Sequence, residues 1–520
     1  MARVLVTEEI AQSGLDLLAG AGHKVDLELG LSPDELLKAV DGAVALIIRS
    51  ATNVTDEVLC AGRQLQVVGR AGIGLDNVDI GAATRRGVIV VNAPQSNLLS
   101  AAEHTLALLL AQARNIPQAH SALKAGRWER SRWEGVELHG KVLGIVGLGR
   151  VGALVAQRAL AFGMHLLAYD PYVAPERARQ MGAELVPLDD IFRQADFVTI
   201  HLPKTPETMG LIGAKLLSET KPGLRLVNAA RGGIVDEVAL ARAIREGRIA
   251  GAALDVFATE PPGQSALLDL DQVVVTPHLG ASTREAQDKA GVAIAEQVVL
   301  ALDGDLVPFA VNLPAAEADE VVRPFVPLAE RLGRLFAALA RELPAVIEFG
   351  YQGPLAARDT RLLTLAAQKG LLTVVTEEPV SYVNAPQLAT ERGLEVRTTT
   401  ASASHEYVNL VSIRGGGRAV AGTLFAGAPR IVLLDEHEIE LPFARYLLVV
   451  RNDNRVGMLA LVTSALADAR INIVDLHLGR SADRRTAIMA ISLDEPVPAA
   501  VVHELSRAPG ILDVVALADV

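Results

Sequence analysis

The sequence predicts an α/β protein: two doubly wound parallel-sheet domains, then an α+β segment and a ferredoxin-like module. Three observations predict it. Short β-branched runs alternate with longer helical stretches, twice in succession, as far as about residue 280. A glycine-rich turn, GLGRVG at Gly147 to Gly152, follows one such run and opens a helical stretch. The tail from Arg445 reads strand, helix, strand, strand, helix, strand.

The first series is RVLV, KVDLEL, VALIIR, LQVVG and VIVVN, all before residue 95. A long helix follows, from about Ser100 to Ala113, with Ser100 as its N-cap and Glu103 completing a capping box. It is apolar on more than one face, as a helix buried against another domain or subunit must be. The second series begins at Lys141 with KVLGIVG, HLLAYD, FVTIHL, LRLVNA, AALDVF and VVVTPH, and ends near Pro277. The helix from Ser282 to about Leu302 has no strand left to serve there, so it is predicted to return to the first unit. That unit is then discontinuous, 1–97 with 280–312, around a second unit at 98–279. Asp303 to Pro314 reads as a linker. Residues 315–445 mix helical patterns with AVIEFGY, LVSIRG and RIVLLDE, and residues 446–520 form the ferredoxin-like tail.

With 520 residues, three or four packed cores are possible; aromatics are 3%, so Val, Leu, Ile and Ala must fill them. A net charge of −12 argues against a nucleic-acid partner. The single cysteine, Cys60, rules out an internal disulfide and a cysteine metal cluster; no metal is expected, and its helical setting reads as inert. The start MARVLVTEEI turns acidic at once, with no cleavable apolar segment. The densest apolar run, around Leu106 to Ala111, is far short of the ~20 residues a membrane span needs. A cytoplasmic protein without membrane contact is the expectation.

Gly147, Gly149 and Gly152 suit a dinucleotide. The first permits the tight turn, the second admits the pyrophosphate, and the third lets helix pack on strand. Asp170 ends the next strand, where a carboxylate grips the adenosine ribose. A 2′-phosphate beside it would cost about 1 to 4 kcal/mol in like-charge repulsion, so NAD is expected over NADP.

Three further residues each follow a predicted strand: Arg231 in NAARGGIVDE, Glu260 in ALDVFATEPP and His278 in TPHLGAST. Oxidising a secondary alcohol needs a base for the hydroxyl proton, and imidazole is the natural one. A carboxylate on its other nitrogen fixes the tautomer. A guanidinium clamps a substrate carboxylate with two parallel hydrogen bonds.

These stretches, with IIRSATNVT, VVGRAGIGLDNVD and SAAEHTLALLLAQAR, resemble the D-isomer-specific 2-hydroxyacid dehydrogenases over residues 1 to about 312. The later segments, including SYVNAPQLATERGL, resemble the long members of that family, with an intervening anion-binding domain and a C-terminal ACT domain. The resemblance implies that Arg231, Glu260 and His278 are catalytic. It implies further NAD contacts at Arg150, Val151, Pro171, His201, Pro203, Ala229, Asp255 and Gly280. A substrate-phosphate site is implied around Arg49 and Arg70, with Asn97 and the Gly72–Gly74 loop nearby. Arg130 and Arg132 would reach a neighbouring subunit's site, and Trp128 and Trp133 read as interface or core aromatics.

ACT domains take amino acids at subunit interfaces, which implies L-serine at Asn452, Asn454 and Asn472. Here Val456 stands where that loop often carries Pro, which loosens the expected site. The activity implied is NAD-dependent oxidation of 3-phospho-D-glycerate to 3-phosphohydroxypyruvate, the first step of serine synthesis, in a homo-oligomer, a tetramer by expectation. The alternatives are reduction of glyoxylate, hydroxypyruvate or 2-oxoglutarate, or an NAD-sensing corepressor-like scaffold.

Overall fold

The computed structural model describes residues 1–520 apart from 306, 314–319, 341, 378–379, 404–406, 482 and 519–520. Its first sheet is β1 (Arg3–Val6), β2 (Lys24–Leu27), β3 (Ala45–Ile48), β4 (Val67–Arg70) and β5 (Ile89–Asn92), in the order β2-β1-β3-β4-β5. All its pairings are parallel. Alternate side chains serve opposite faces. Val4, Val6 and Ile47 pack with Ile294 and Val298, whereas Leu5, Leu46 and Ile48 pack with Leu36 and Val58. Ile294 and Val298 belong to the Arg284–Leu302 helix, so the chain does return to its first sheet.

The second sheet holds β6 (Val142–Val146), β7 (His165–Tyr169), β8 (Ala183–Leu185), β9 (Phe197–Ile200), β10 (Leu224–Asn228), β11 (Ile249–Leu254) and β12 (Val273–Val275). Its order is β12-β11-β10-β9-β6-β7-β8, parallel throughout. The direction of winding reverses between β6 and β9, and ligands of such sheets bind at that switch, outside the carboxyl ends of the strands.

Two sequence readings need correction here. The long helix spans Leu98–Ala113 and has no side-chain cap. Ser100 therefore lies inside it, and its hydroxyl pairs with Thr283 Oγ1 at 2.7 Å. The supposed linker is also partly structured. β5 is the edge strand of its sheet, and this segment pairs with its outer side: Val311 N–H donates to Val90 O at 2.8 Å and Asn312 Oδ1 accepts from Val90 N–H at 2.9 Å. Its residues 306 and 314 lie outside the described residues, as does the start of the third segment at 315.

A third sheet runs β13 (Val346–Gln352), β14 (Glu395–Ala401), β15 (Leu410–Gly415), β16 (Arg418–Phe425), β17 (Ala428–Leu434) and β18 (His437–Pro442), in the order β14-β13-β15-β16-β17-β18. The β13–β14 pair is parallel and the rest antiparallel. The tail forms β19 (Tyr446–Asp453), β20 (Ile473–Arg480), β21 (Thr486–Leu493) and β22 (Ile511–Ala518), antiparallel in the order β20-β21-β19-β22. Helices Met458–Asp468 and Ala499–Arg507 complete the βαββαβ order. No helix among the described residues is long and apolar enough to cross a membrane.

Candidate active site

β10, β11 and β12 are neighbours in the second sheet, so the loops leaving their carboxyl ends lie side by side. Arg231, Glu260 and His278 occupy those three loops. His278 Nδ1 and Glu260 Oε2 are 2.7 Å apart, and the other Glu260 oxygen accepts from Phe257 N–H at 3.0 Å. With Nδ1 engaged, Nε2 is the nitrogen left for a substrate hydroxyl. The His278 backbone sits in the left-handed region, φ 55°, which costs on the order of 1–3 kcal/mol for a side chain of this size. Its N–H donates to Asp255 O at 2.9 Å.

Asp255 is wholly buried. Its Oδ1 accepts from Thr276 Oγ1 at 2.6 Å and Leu279 N–H at 2.7 Å, and its Oδ2 from Gly280 N–H at 2.9 Å. Burial pushes this carboxyl up, but His104 and the loop donors outweigh it, and the group stays below its ordinary range. With no exposed surface, the Asp255 carboxylate holds the 276–280 loop. Gly280 is buried against it.

The loops after β3, β4 and β5 face this edge across a cleft of about 400 Å³. Arg49, Arg70, Gly72, Gly74 and Asn97 line it together with Arg231, Glu260 and His278. Arg231 Nε lies 3.1 Å from Asp76 Oδ2, and its backbone oxygen accepts from Asn228 Nδ2 at 3.0 Å. Arg70 Nε donates to Arg49 O at 3.2 Å, and its Nη1 donates to the Gly74 carbonyl. Burial, then the Arg231 charge, pushes the Arg70 guanidinium down to about 10, so it remains cationic at neutral pH. Asn97 Oδ1 is buried without a hydrogen-bond partner in the fold, an acceptor available to a ligand hydroxyl.

Three residues the sequence reading passed over shape this cleft. The Glu8 carboxylate accepts the N–H groups of Arg49, Ala51 and Thr52 at 2.8, 3.1 and 2.9 Å. Asn77 Nδ2 donates to Arg49 O and Thr52 O at 2.8 and 2.5 Å. Asp76 pairs with Arg231. The available signal was position: Glu8 follows β1, and Asp76 and Asn77 follow a glycine-rich stretch after β4.

At the switch point the glycines fit a dinucleotide. Gly147 has φ 98°, and a Cβ there would lie 2.7 Å from His201 O. A Cβ on Gly152 would lie 2.1 Å from Gly147 O, so helix and turn are in close contact. A Cβ on Gly149 would meet nothing within 4 Å. That opening stands over the first turn of the Arg150–Ala161 helix, whose N-terminal amides have no side-chain cap, an arrangement suited to a pyrophosphate. Asp170 is fixed beside the turn by Leu148 N–H and Tyr172 N–H, each at 2.9 Å. Burial pushes the His201 imidazole down to about 4, so it is uncharged at neutral pH. Arg150, Val151, Pro171, Pro203 and Ala229 occupy the same carboxyl edge and retain exposed surface.

Arg130 and Arg132 are exposed and lie outside the chain's own cleft; Arg132 pairs with Asp271 at 2.8 Å and lies 4.8 Å over the Trp133 ring. In the tail, Asn454 Nδ2 donates to Arg484 O at 2.8 Å, and Asn472 Nδ2 to Asp494 Oδ2 at 2.7 Å. Asn452 is buried and faces Ala487 across β21, while Ile473 faces Leu493. Six residues of strand at ~3.3 Å each put these ends about 20 Å apart. One chain therefore does not bring the three asparagines together, and a site using all three requires a second copy. Val456 is fully exposed.

Comparison with known proteins identifies the domains in turn. Residues 106–280 match the NAD-binding domain of the D-isomer specific 2-hydroxyacid dehydrogenases. Residues 321–435 match the D-3-phosphoglycerate dehydrogenase intervening domain, and residues 446–510 the ACT domain. The chain is 49% identical over 504 residues to the D-3-phosphoglycerate dehydrogenase of Mycobacterium leprae, covering 95% of each. It is 44% identical to that of Synechocystis over 521 residues, 99% of this chain and 94% of the relative. Among solved structures, the Thermus thermophilus TT0316 protein superposes with a TM-score of 0.56 at 37% identity, covering 59% of this chain and 99% of its own. The Aquifex aeolicus D-lactate dehydrogenase complexed with NAD and lactic acid gives 0.52 at 27% identity, covering 58% and 96%. The chain belongs to the D-3-phosphoglycerate dehydrogenase family, within the D-isomer-specific 2-hydroxyacid dehydrogenases.

Proposed function

We propose that this protein oxidises 3-phospho-D-glycerate at C2 with NAD, giving 3-phosphohydroxypyruvate and committing carbon to L-serine. The observation that carries the reading is the His278–Glu260 pair beside Arg231 in a cleft that also holds Arg49 and Arg70. NAD, when bound, supplies the hydride acceptor. His278 takes the hydroxyl proton at Nε2, and Glu260 stabilises the imidazolium that results. Arg231 leaves Asp76 to clamp the substrate carboxylate with its fork. Arg49 and Arg70 receive the phosphate, and the Asp170 carboxylate favours the unphosphorylated ribose of NAD.

His278→Ala removes the base and lowers kcat by roughly 10²- to 10⁴-fold, measured as NADH formation from phosphoglycerate; a near wild-type rate refutes the assignment. Two arginines near the phosphate separate this reading from glyoxylate, hydroxypyruvate or 2-oxoglutarate reduction. Arg49→Gln with Arg70→Gln raises KM for phosphoglycerate by well over tenfold while altering KM for unphosphorylated acids far less. Equal effects on both favour the other substrates. The proposal includes a cytoplasmic location, L-serine as the effector of the tail, and a homotetramer. Ile116, Leu123 and Trp128, all exposed within one short stretch, support a symmetric assembly.

A further inference from the structure

We infer that His104 is a positioning residue for the reaction, acting on the His278 loop through the buried Asp255 carboxylate. His104 lies on the Leu98–Ala113 helix, which packs on β10, β11 and β12. Its Nε2 is 3.1 Å from Asp255 Oδ1 and 3.1 Å from Thr276 Oγ1.

The other donors to that carboxylate come from the loop itself: Thr276 ahead of His278, and Leu279 and Gly280 behind it. The backbone oxygen of Asp255 takes the His278 N–H. Asp255 thus brackets the catalytic histidine on both sides, and its own N–H is anchored to Asn228 O at 2.9 Å. A carboxylate with no exposed surface is stable only when its charge and lone pairs are answered. Among the described residues, His104 is its one ion-pair partner.

The left-handed backbone at His278 makes this bracket consequential. A strained conformation persists only where surrounding contacts over-determine it. Without the His104 donor, Asp255 and Thr276 reorganise, the 276–280 loop relaxes, and the 2.7 Å contact between His278 and Glu260 opens. The carboxylate-binding arginine and the phosphate arginines stand on other loops and are untouched. The effect therefore falls on kcat rather than on substrate affinity.

This inference rests on the assignment of His278 as base, and the test separates the two. Gln places its amide nitrogen near the reach of an imidazole Nε2, whereas Asn falls short and Leu has no donor. His104→Leu and His104→Asn lower kcat roughly 10- to 100-fold, with KM for phosphoglycerate within about twofold, while His104→Gln stays within about threefold of wild type in both. Wild-type kcat in the Leu or Asn variant, or a Gln variant as impaired as Leu, overturns the role. A crystal structure of the Asn variant gives a readout independent of turnover. A displaced 276–280 loop with the His278–Glu260 contact broken supports the inference, and an unmoved loop overturns it. Absence of phosphoglycerate turnover by the wild-type protein defeats the functional reading instead, and the crystallographic comparison still decides the role of His104.

Discussion

At the scale of single residues, the cleft depends on atoms that are missing as much as on those present. A Cβ on Gly74 would lie 2.2 Å from Arg231 Nη2, with Asp76 Oδ2 at 3.1 Å. Gly74→Ala must therefore push the guanidinium aside. The expected result is a KM for phosphoglycerate raised about tenfold or more with thermal stability nearly unchanged, read by steady-state kinetics beside a melting curve. An unchanged KM would show that the arginine moves freely in the cleft. That Arg231, Glu260 and His278 share one cleft was legible in sequence because each polar group follows an apolar strand at its carboxyl end, and the parallel fold does the rest. Glu8, Asp76 and His104 were not. Their roles come from neighbours remote along the chain, and nothing in their local pattern marks them. Asp255 was legible as a site residue, but its hold on the 276–280 loop was not, because sequence does not show how many loop donors converge on one carboxylate.

Among the elements, the parallel strands were the most readable, since burial on both faces leaves continuous apolar runs. Among the described residues four strands escaped reading; β18 alternates cleanly and could have been found, while the other three have physical reasons. β14 is exposed along most of its length, so it has no apolar face to show. β8 is three residues long, and β16 carries an interior glycine. Helix pairing in the third unit depends on a polar cluster. Glu330 on the Val326–Ala340 helix accepts from Lys369 at 3.1 Å on the facing Arg361–Val375 helix, from Tyr382 at 3.0 Å and from Arg334 at 3.0 Å. Burial pushes its carboxyl up, but the Lys369 charge and these bonds prevail and hold it below the ordinary carboxylate range. A carboxyl depressed in the native state contributes stability that is present above the unfolded value and lost as pH falls through the native one. Glu330→Gln is thus expected to cost about 2 kcal/mol at neutral pH, with the gap to wild type closing in acid, as the depressed carboxyl takes up its proton. Urea melts at neutral and at acid pH check this; a pH-independent difference would mean that packing, not charge, is lost.

Across the whole molecule, the third and fourth sheets share one core. Leu447, Val449, Ile488, Ala490 and Leu517 of the tail join Leu332, Phe336 and Ile431 in a single cluster. Arg418 joins Asp435 and Asp513 across the same boundary at 2.7 and 2.9 Å. Truncation at residue 444 is expected to strip that core, giving a lower, broader calorimetric transition and strong binding of a hydrophobic dye. A truncated protein with the parent's melting temperature and no dye binding would show two separable units. The order of the domains was legible in sequence, whereas this fusion was not, because a shared core between consecutive modules leaves no mark in either module's periodicity.

That fusion bears on how such proteins can be recombined. A chimera that grafts a foreign effector module at residue 445 inherits half of someone else's jigsaw. Five apolar side chains and one aspartate must be matched before any signalling property can be compared. Transplanting from residue 321 onward keeps the matched pair intact and moves the seam to the surface where the Arg284–Leu302 helix meets Leu362, Leu365 and Val383.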